Sequence, residues 1–225
     1  MSGPTASTEA LAARVREWAT SPLDLRCSWR MARWTALDLE TTGLDTRTDA
    51  ILSIGLVDIE GGRVLLDTAW NSLVRPPLGA VFRPESVLIH GLTPDALVDA
   101  PTQAEILPAL VTRLRGRVVI AHSGQEFDGR LLDRAFREVC GEPFPGPVLD
   151  TARLAHHLHD RAVPGRAPAD PSVRLADLAT RHGVPSGRAH DALDDALTCA
   201  QVFLVLATHM EALGQGSAAR LLKCG

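Results

Sequence analysis

The chain of 225 residues contains no tyrosine, and its single lysine, Lys223, leaves almost all of the basic charge to arginine. Basic residues number 23 against 27 acidic ones, a formal net charge of −4. That balance argues against a strongly basic nucleic-acid binder held by backbone electrostatics alone. Cysteine is scarce and scattered: Cys27, Cys140, Cys199 and Cys224 form no CxxC pair and no His/Cys cluster of zinc spacing. Reduced thiols in a cytoplasmic protein are therefore expected. No run of about 18 apolar residues occurs, so no membrane span is expected. Met1–Ala10 is polar without an apolar core, unlike a signal peptide, and Glu9 and Glu17 count against a transit peptide. There is no internal repeat. Against these absences stand 45% hydrophobic and 22% charged residues, the composition of a globular domain large enough to bury a substantial core.

The most informative stretch is Leu37-Asp38-Leu39-Glu40-Thr41-Thr42-Gly43-Leu44. Trp34 to Leu39 reads as a buried strand, and side chains two apart on a strand share a face. Asp38 and Glu40 therefore stand side by side, with Leu37 and Leu39 opposite. Two like charges on a largely buried strand repel each other and lose hydration. A divalent cation with hard oxygen ligands is the usual compensation. Thr41-Thr42-Gly43 then offers a turn with free backbone N–H groups and two hydroxyls, suited to a phosphate or sugar. The competing reading is a strand ending in a capped turn with both acids solvated.

Taken in order, Thr8 to Trp18 reads as a short helix with Leu11, Val15 and Trp18 on one stripe. A segment holding Trp29 and Trp34 leads into the first strand, and this extension is expected on the outside of the domain. Ile51–Ile59 and Arg63–Val74, separated by Gly61-Gly62, read as a hairpin. Pro84 to Pro94 reads as a loop. Thr102 to Leu114 is a predicted helix, Arg117 to Ala121 a buried strand, and Gln125 to Val139 a helix. Val148–Asp150 is a brief strand, Thr151–His159 a helix, and Arg161–Ser172 a mobile loop rich in proline. Leu175–His182 and His190–Leu213 close the domain as helices. This order implies an α/β fold, a mixed sheet with helices on both faces, the first strand central and antiparallel partners on one edge.

Three further places carry candidate chemistry. Asp128 falls just inside a helix that follows a strand, where it is equally a first-turn acid favoured by the helix dipole. His190 precedes Asp195 by five residues, so it falls at or before a helix start with Asp195 one turn inside. Asp191, Asp194 and Asp195 are also readable as acids that complement the dipole. His156, His157 and His159 do not share a helix face and read as a solvated surface.

Jointly these segments resemble the DEDDh, or DnaQ-like, 3′–5′ exonuclease superfamily, which includes the proofreading ε subunit of bacterial DNA polymerase III. The first motif resembles Asp38-Leu39-Glu40-Thr41-Thr42-Gly43-Leu44, the second Ala121-His122 through Phe127-Asp128, and the third His190 through Ala196. Ile89-His90-Gly91-Leu92-Thr93 is similar to a family loop. Ser123 stands where Asn is common, and the His122-to-Asp128 interval is one residue longer than in the ε branch. The superfamily divides by whether the third motif carries His or Tyr, and a chain without tyrosine can only be the His version. The resemblance implies a ribonuclease H-like fold with a mixed five-stranded sheet. It divides the chain into an N-terminal extension over 1–32, an exonuclease domain over 33–213 and a short tail over 214–225.

By the same resemblance, Asp38, Glu40, Asp128 and Asp195 would bind two Mg²⁺ or Mn²⁺ ions about 3.5–4 Å apart. His190 would take the proton of the attacking water. Thr41, Thr42, Gly43 and Leu44 would hold the terminal nucleotide, with Leu44 against the base. His90 would be either a phosphate contact or a loop-stabilising histidine. The implied reaction releases nucleoside 5′-monophosphates from the 3′ end of DNA, single-stranded or frayed, in proofreading or repair, with a DNA polymerase as partner. An exoribonuclease trimming RNA 3′ ends is the same chemistry on another substrate. A non-catalytic nucleic-acid-binding module is the third reading, and the five intact positions count against it.

Overall fold

In a computed structural model that describes residues 6–123, 126–162 and 173–225, the first strand, β1 (Trp34–Thr41), lies at the centre. It is flanked by β2 (Ile51–Glu60) and β3 (Arg63–Leu73) on one side, and by β4 (Val118–Ala121) and β5 (Val148–Asp150) on the other. The order is β3-β2-β1-β4-β5. The β1/β2 and β2/β3 pairs are antiparallel, and β1/β4 and β4/β5 parallel. Gly61 and Gly62 sit at φ 60° and 71°, the left-handed pair that a tight two-residue hairpin requires. The mixed five-stranded sheet is thus the one expected.

Alternation along β1 separates two cores. Trp34 and Ala36 enter one cluster, Leu37 and Leu39 the other. The second cluster is roofed by α1 (Ala6–Ala19), α3 (Gln103–Leu114) and α4 (Asp128–Cys140). The first is roofed by α5 (Thr151–Ala162), α6 (Leu175–His182), α7 (Ala192–Ala212) and α8 (Ala218–Cys224).

Four expectations need correction. Pro84–His90 is a helix, α2, followed by a 3-10 turn over Pro94–Leu97. None of its residues is buried, so no apolar periodicity marks it; Pro84 at the first turn and a left-handed Gly91 after the end are its only signals. The helix expected from Gln125 begins at Asp128, Gln125 lying outside the described residues, while α5 runs on to Ala162. Of the expected mobile loop, residues 163–172 lie outside the described residues. The N-terminal extension is built into the core rather than laid on its outside. Trp18 is buried edge-on against Phe144, centroids 5.4 Å apart, and Trp29 against Phe203 at 5.9 Å. The last residues also fold inward: Ser217 caps α8, bridges to Ser28 across the surface, and places Leu221 in the core.

Candidate active site

The cleft opens where β1 and β4 end at their C-terminal edge, the position at which parallel strands present their loops to a ligand. It encloses about 780 Å³ and is lined by Asp38, Glu40, Asp128, His190 and Asp195 among others. A register shift between Glu40 and Thr41 bends the end of β1 as it leaves the sheet. Asp38 lies opposite Gly55 of β2. That glycine is what admits α7: a Cβ there would lie well under 3.0 Å from the backbone of Ala192 and Leu193. The bare patch of β2 lets the first turn of α7 settle on the sheet and bring its acids over β1. A lone glycine within a strand signals such a close approach, but which element approaches is not written locally.

The three acids at the start of α7 do three different things. Asp191 is the N-cap, accepting from the N–H groups of Leu193 (3.1 Å) and Asp194 (3.3 Å). Asp194 turns back to accept from Arg188 N–H at 2.8 Å. Asp195 accepts from His190 N–H at 2.8 Å, which fixes His190 in a left-handed conformation at φ 62°. His190 is exposed and does not cap the helix. The ligand atoms of Glu40, His190 and Asp195 all lie within 4.8 Å of one another. The third expected motif therefore converges on the first.

The second motif closes the cleft from the far side. Asp128 is buried at the first position of α4. Behind it, the buried Asp150 at the end of β5 accepts from Ser123 N–H (3.0 Å) and Ala152 N–H (2.9 Å), pinning the turn after β4 and starting α5. Ser123 there is left-handed, at φ 59°. His122 lines the cleft with Nδ1 2.9 Å from Thr151 Oγ1. Asp150 and Thr151 were not singled out from the sequence; the strand-end position of Asp150, like that of Asp38, was the available signal.

Carboxylates crowd this site. Among the described residues no arginine, lysine or histidine side chain forms an ion pair with Asp38, Glu40, Asp128 or Asp195. Burial, then the charges of Asp128, Asp195 and Glu40, push the Asp38 carboxyl well above its usual range. Burial and the Asp195 charge push Glu40 up to about 7. Burial pushes Asp128 up to about 8, against partial relief from the N–H groups of Asp128 itself and Leu39. Asp195 is also raised, chiefly by burial. Clustered carboxylate oxygens that form no ion pair fit hard divalent ions.

The turn after β1 departs from expectation. Thr41 donates its hydroxyl to Gly43 C=O (2.6 Å), and Thr42 donates to Asp49 (3.2 Å) while accepting from Ala50 N–H (2.9 Å). Both hydroxyls are thus used within the turn. Thr42 and Gly43 are buried and do not line the cleft, whereas Thr41 and Leu44 do. Leu44 is 83% exposed, an apolar side chain held over the cleft floor. His90 Nδ1 accepts from Leu92 N–H at 3.0 Å, which leaves Nε2 to donate to Thr41 C=O at 3.1 Å. With both ring nitrogens engaged, His90 fastens α2 to the end of β1 while it lines the cleft. His156, His157 and His159 lie on α5 outside the cleft.

A family model, RNase_T, described as Exonuclease, matches residues 35–203. The DNA polymerase III PolC-type of Thermotoga maritima is 32% identical over 183 residues, covering 81% of this chain but 12% of that protein. The DNA polymerase III subunit epsilon of Treponema pallidum is 30% identical over 176 residues, covering 78% of this chain and 77% of that one. In structure, E. coli exonuclease I in complex with a dT13 oligonucleotide superposes with a TM-score of 0.70 at 18% identity, over 82% of this chain and 43% of that one. The likeness identifies the fold as ribonuclease H-like. No described helix is long and apolar enough to cross a membrane.

Proposed function

The chain belongs to the RNase_T exonuclease family, whose members include DnaQ-like ε subunits, and on that premise we propose that it is a metal-dependent 3′–5′ exonuclease acting on DNA. The observation that carries the proposal is the convergence of Glu40, His190 and Asp195 within 4.8 Å, in the cleft that the half-buried Asp38 and the buried Asp128 also line. Two divalent cations bound to the four carboxylates would lower the pKa of an attacking water and neutralise charge developing on the phosphate. His190, exposed beside Glu40 and Asp195, is placed to accept the water's proton. Asp195 holds it there through the backbone rather than through its ring. Leu44 would pack against the terminal base, and Thr41, fixed by His90, would shape the floor beneath the sugar. A pocket of this kind favours an unpaired 3′ end, because a stacked base cannot reach the Leu44 side chain. The relatives named as polymerase III polypeptides support a polymerase as partner.

The test offers 5′-labelled DNA and RNA, single-stranded, duplex and 3′-mismatched, with Mg²⁺, Mn²⁺ or EDTA. Ladders shortening one nucleotide at a time from the 3′ end of DNA, absent in EDTA and blocked by a 3′ phosphate, are the expected result. Preferential laddering of RNA would reassign the substrate to RNA 3′ ends. Cutting of a closed circle, or full activity in excess EDTA, would overturn the proposal.

A further inference from the structure

Leu44 is 83% exposed beside the cleft, yet the turn that carries it is braced by three side chains. The carboxylate of the buried Asp49 accepts from the Thr42 hydroxyl at 3.2 Å and from Asp45 N–H at 2.8 Å. Those two partners flank Gly43-Leu44, so the Asp49 side chain closes a ring behind them. Arg83, the residue before α2, joins from one side. Its Nε donates to Asp49 at 3.3 Å and its backbone N–H to Thr42 C=O at 3.1 Å. The ring is tight: a Cβ at Gly43 would lie under 3.0 Å from the side chains of Arg83 and Asp49. From the other side comes Arg134 of α4. It donates through Nη1 to Thr46 C=O at 2.9 Å and through Nη2 to Asp49 C=O, while its Nε lies 3.5 Å from Glu138. The helix itself does not depend on this grip, because Leu131, Leu132, Ala135 and Phe136 anchor α4 in the core. Arg134 follows Asp128 by six residues of that helix, about 9 Å along its axis at 1.5 Å per residue.

We propose that Arg134 is a positioning residue for the 3′ end of the substrate: by gripping the Asp49 ring it fixes Leu44 relative to Asp128. An exposed leucine buries little surface by being held still, so packing of Leu44 does not explain the bracing. Binding does explain it, since a turn ordered beforehand loses no freedom when the terminal nucleotide arrives. The side chain suits the task. A guanidinium presents its donors in a rigid planar fork and can grip two carbonyls at once, whereas an ammonium on a flexible stem cannot hold both in one geometry. Loss of the grip would free the turn and leave α4, with Asp128, in place. Substrate binding would then weaken while the chemical step is untouched. The inference rests on the proposed packing of Leu44 against the terminal base.

The experiment measures kcat and KM on 5′-labelled single-stranded DNA for Arg134→Met, Leu44→Ala and the double variant, each at a temperature where circular dichroism shows it folded. Methionine keeps much of the arginine stem and removes the donors. If the freed turn spends about a tenth of its time in the competent arrangement, KM rises about tenfold, with kcat unchanged. Arg134→Lys, which keeps the charge but not the fork, should behave like Arg134→Met. The double variant should be no worse than Leu44→Ala alone, because Arg134 acts through Leu44. A purely structural Arg134 would lower the melting temperature and leave the KM of the folded enzyme unchanged, and that result would overturn the inference. So would penalties that multiply in the double variant, or a loss that falls on kcat. If Arg134→Met fails to fold, Arg83→Gln, at a half-exposed side chain, and its double with Leu44→Ala decide in the same way. A KM raised by Leu44→Ala but by neither arginine variant would overturn this inference and leave the nuclease reading standing. An unchanged KM in Leu44→Ala would overturn the role of Leu44 at the terminal base, and this inference with it.

Discussion

Gly55→Ala tests how the site is held together without touching any group that reacts. The backbone of Gly55 is not left-handed, so alanine meets no conformational penalty there and the effect is purely one of space. The added methyl would lie well under 3.0 Å from Ala192 and Leu193, whereas ordinary contact begins at 3.4 Å. The obstructing atoms are backbone, with no rotamer to change. The start of α7 must therefore withdraw from β2 by roughly 1 Å, carrying Asp191, Asp195 and the tethered His190 with it. Overpacking of this kind costs about 1–3 kcal/mol, or several degrees of melting temperature in a domain of this size. A misplacement of about 1 Å costs about 10²-fold in rate. Single-turnover hydrolysis of a 5′-labelled oligonucleotide should thus fall by about two orders of magnitude at a temperature where circular dichroism shows the variant fully folded. A Gly55→Ala enzyme with a lowered melting temperature but an unchanged rate would refute the idea that the approach of α7 to β2 sets the catalytic geometry.

Asp38→Ala and Asp195→Ala should abolish hydrolysis, and Asp38→Ala should raise the melting temperature measured in EDTA, because it removes one charge from a repelling cluster; a fall in its stability would mean that this carboxylate is held by partners other than metal. His190→Ala should lower kcat by about 10²–10⁴-fold with little change in Mn²⁺ affinity by calorimetry, and an unchanged kcat would remove it from the mechanism. Metal-free protein should lose stability as pH rises. Glu40 at about 7 and Asp128 at about 8 lie above the roughly 4 of an unfolded carboxyl, so the folded state keeps protons that the unfolded state has released. Stability is then full below about pH 4 and lost through pH 7–8. The melting temperature in EDTA should fall from pH 5 to pH 8, less steeply in Glu40→Gln, and Mn²⁺ should restore it at pH 8; a rise would contradict the sign of both shifts.

Much of the site was legible because it rests on short-range periodicity. Asp38 and Glu40 share a face because strands alternate, and the structure puts Leu37 and Leu39 in the opposite core. The interval from His190 to Asp195 announced a residue before a helix and another one turn inside it, which is what α7 shows. What was not legible depends on partners far away in the chain. Nothing local says that Thr42 will spend its hydroxyl on Asp49 and Ala50, or that both His90 nitrogens will be occupied by Leu92 and Thr41. Helix α2 escaped notice because it buries no side chain, and burial is what makes a helix periodic in sequence.

Asp194 and Asp195 show where the boundary falls. The two are chemically identical neighbours in the first turn of α7, and either could complement the helix dipole. One helical step of about 100° separates their directions. Asp194 meets the backbone of Arg188, while Asp195 faces Glu40 and His190. Composition and charge cannot distinguish them, and the dipole treats them alike. Only the side of the helix that lies over β1 does so, and that side is set by the contact with Gly55, about 140 residues earlier in the chain. The carboxylates that meet at this site are chosen by a residue that has no side chain at all.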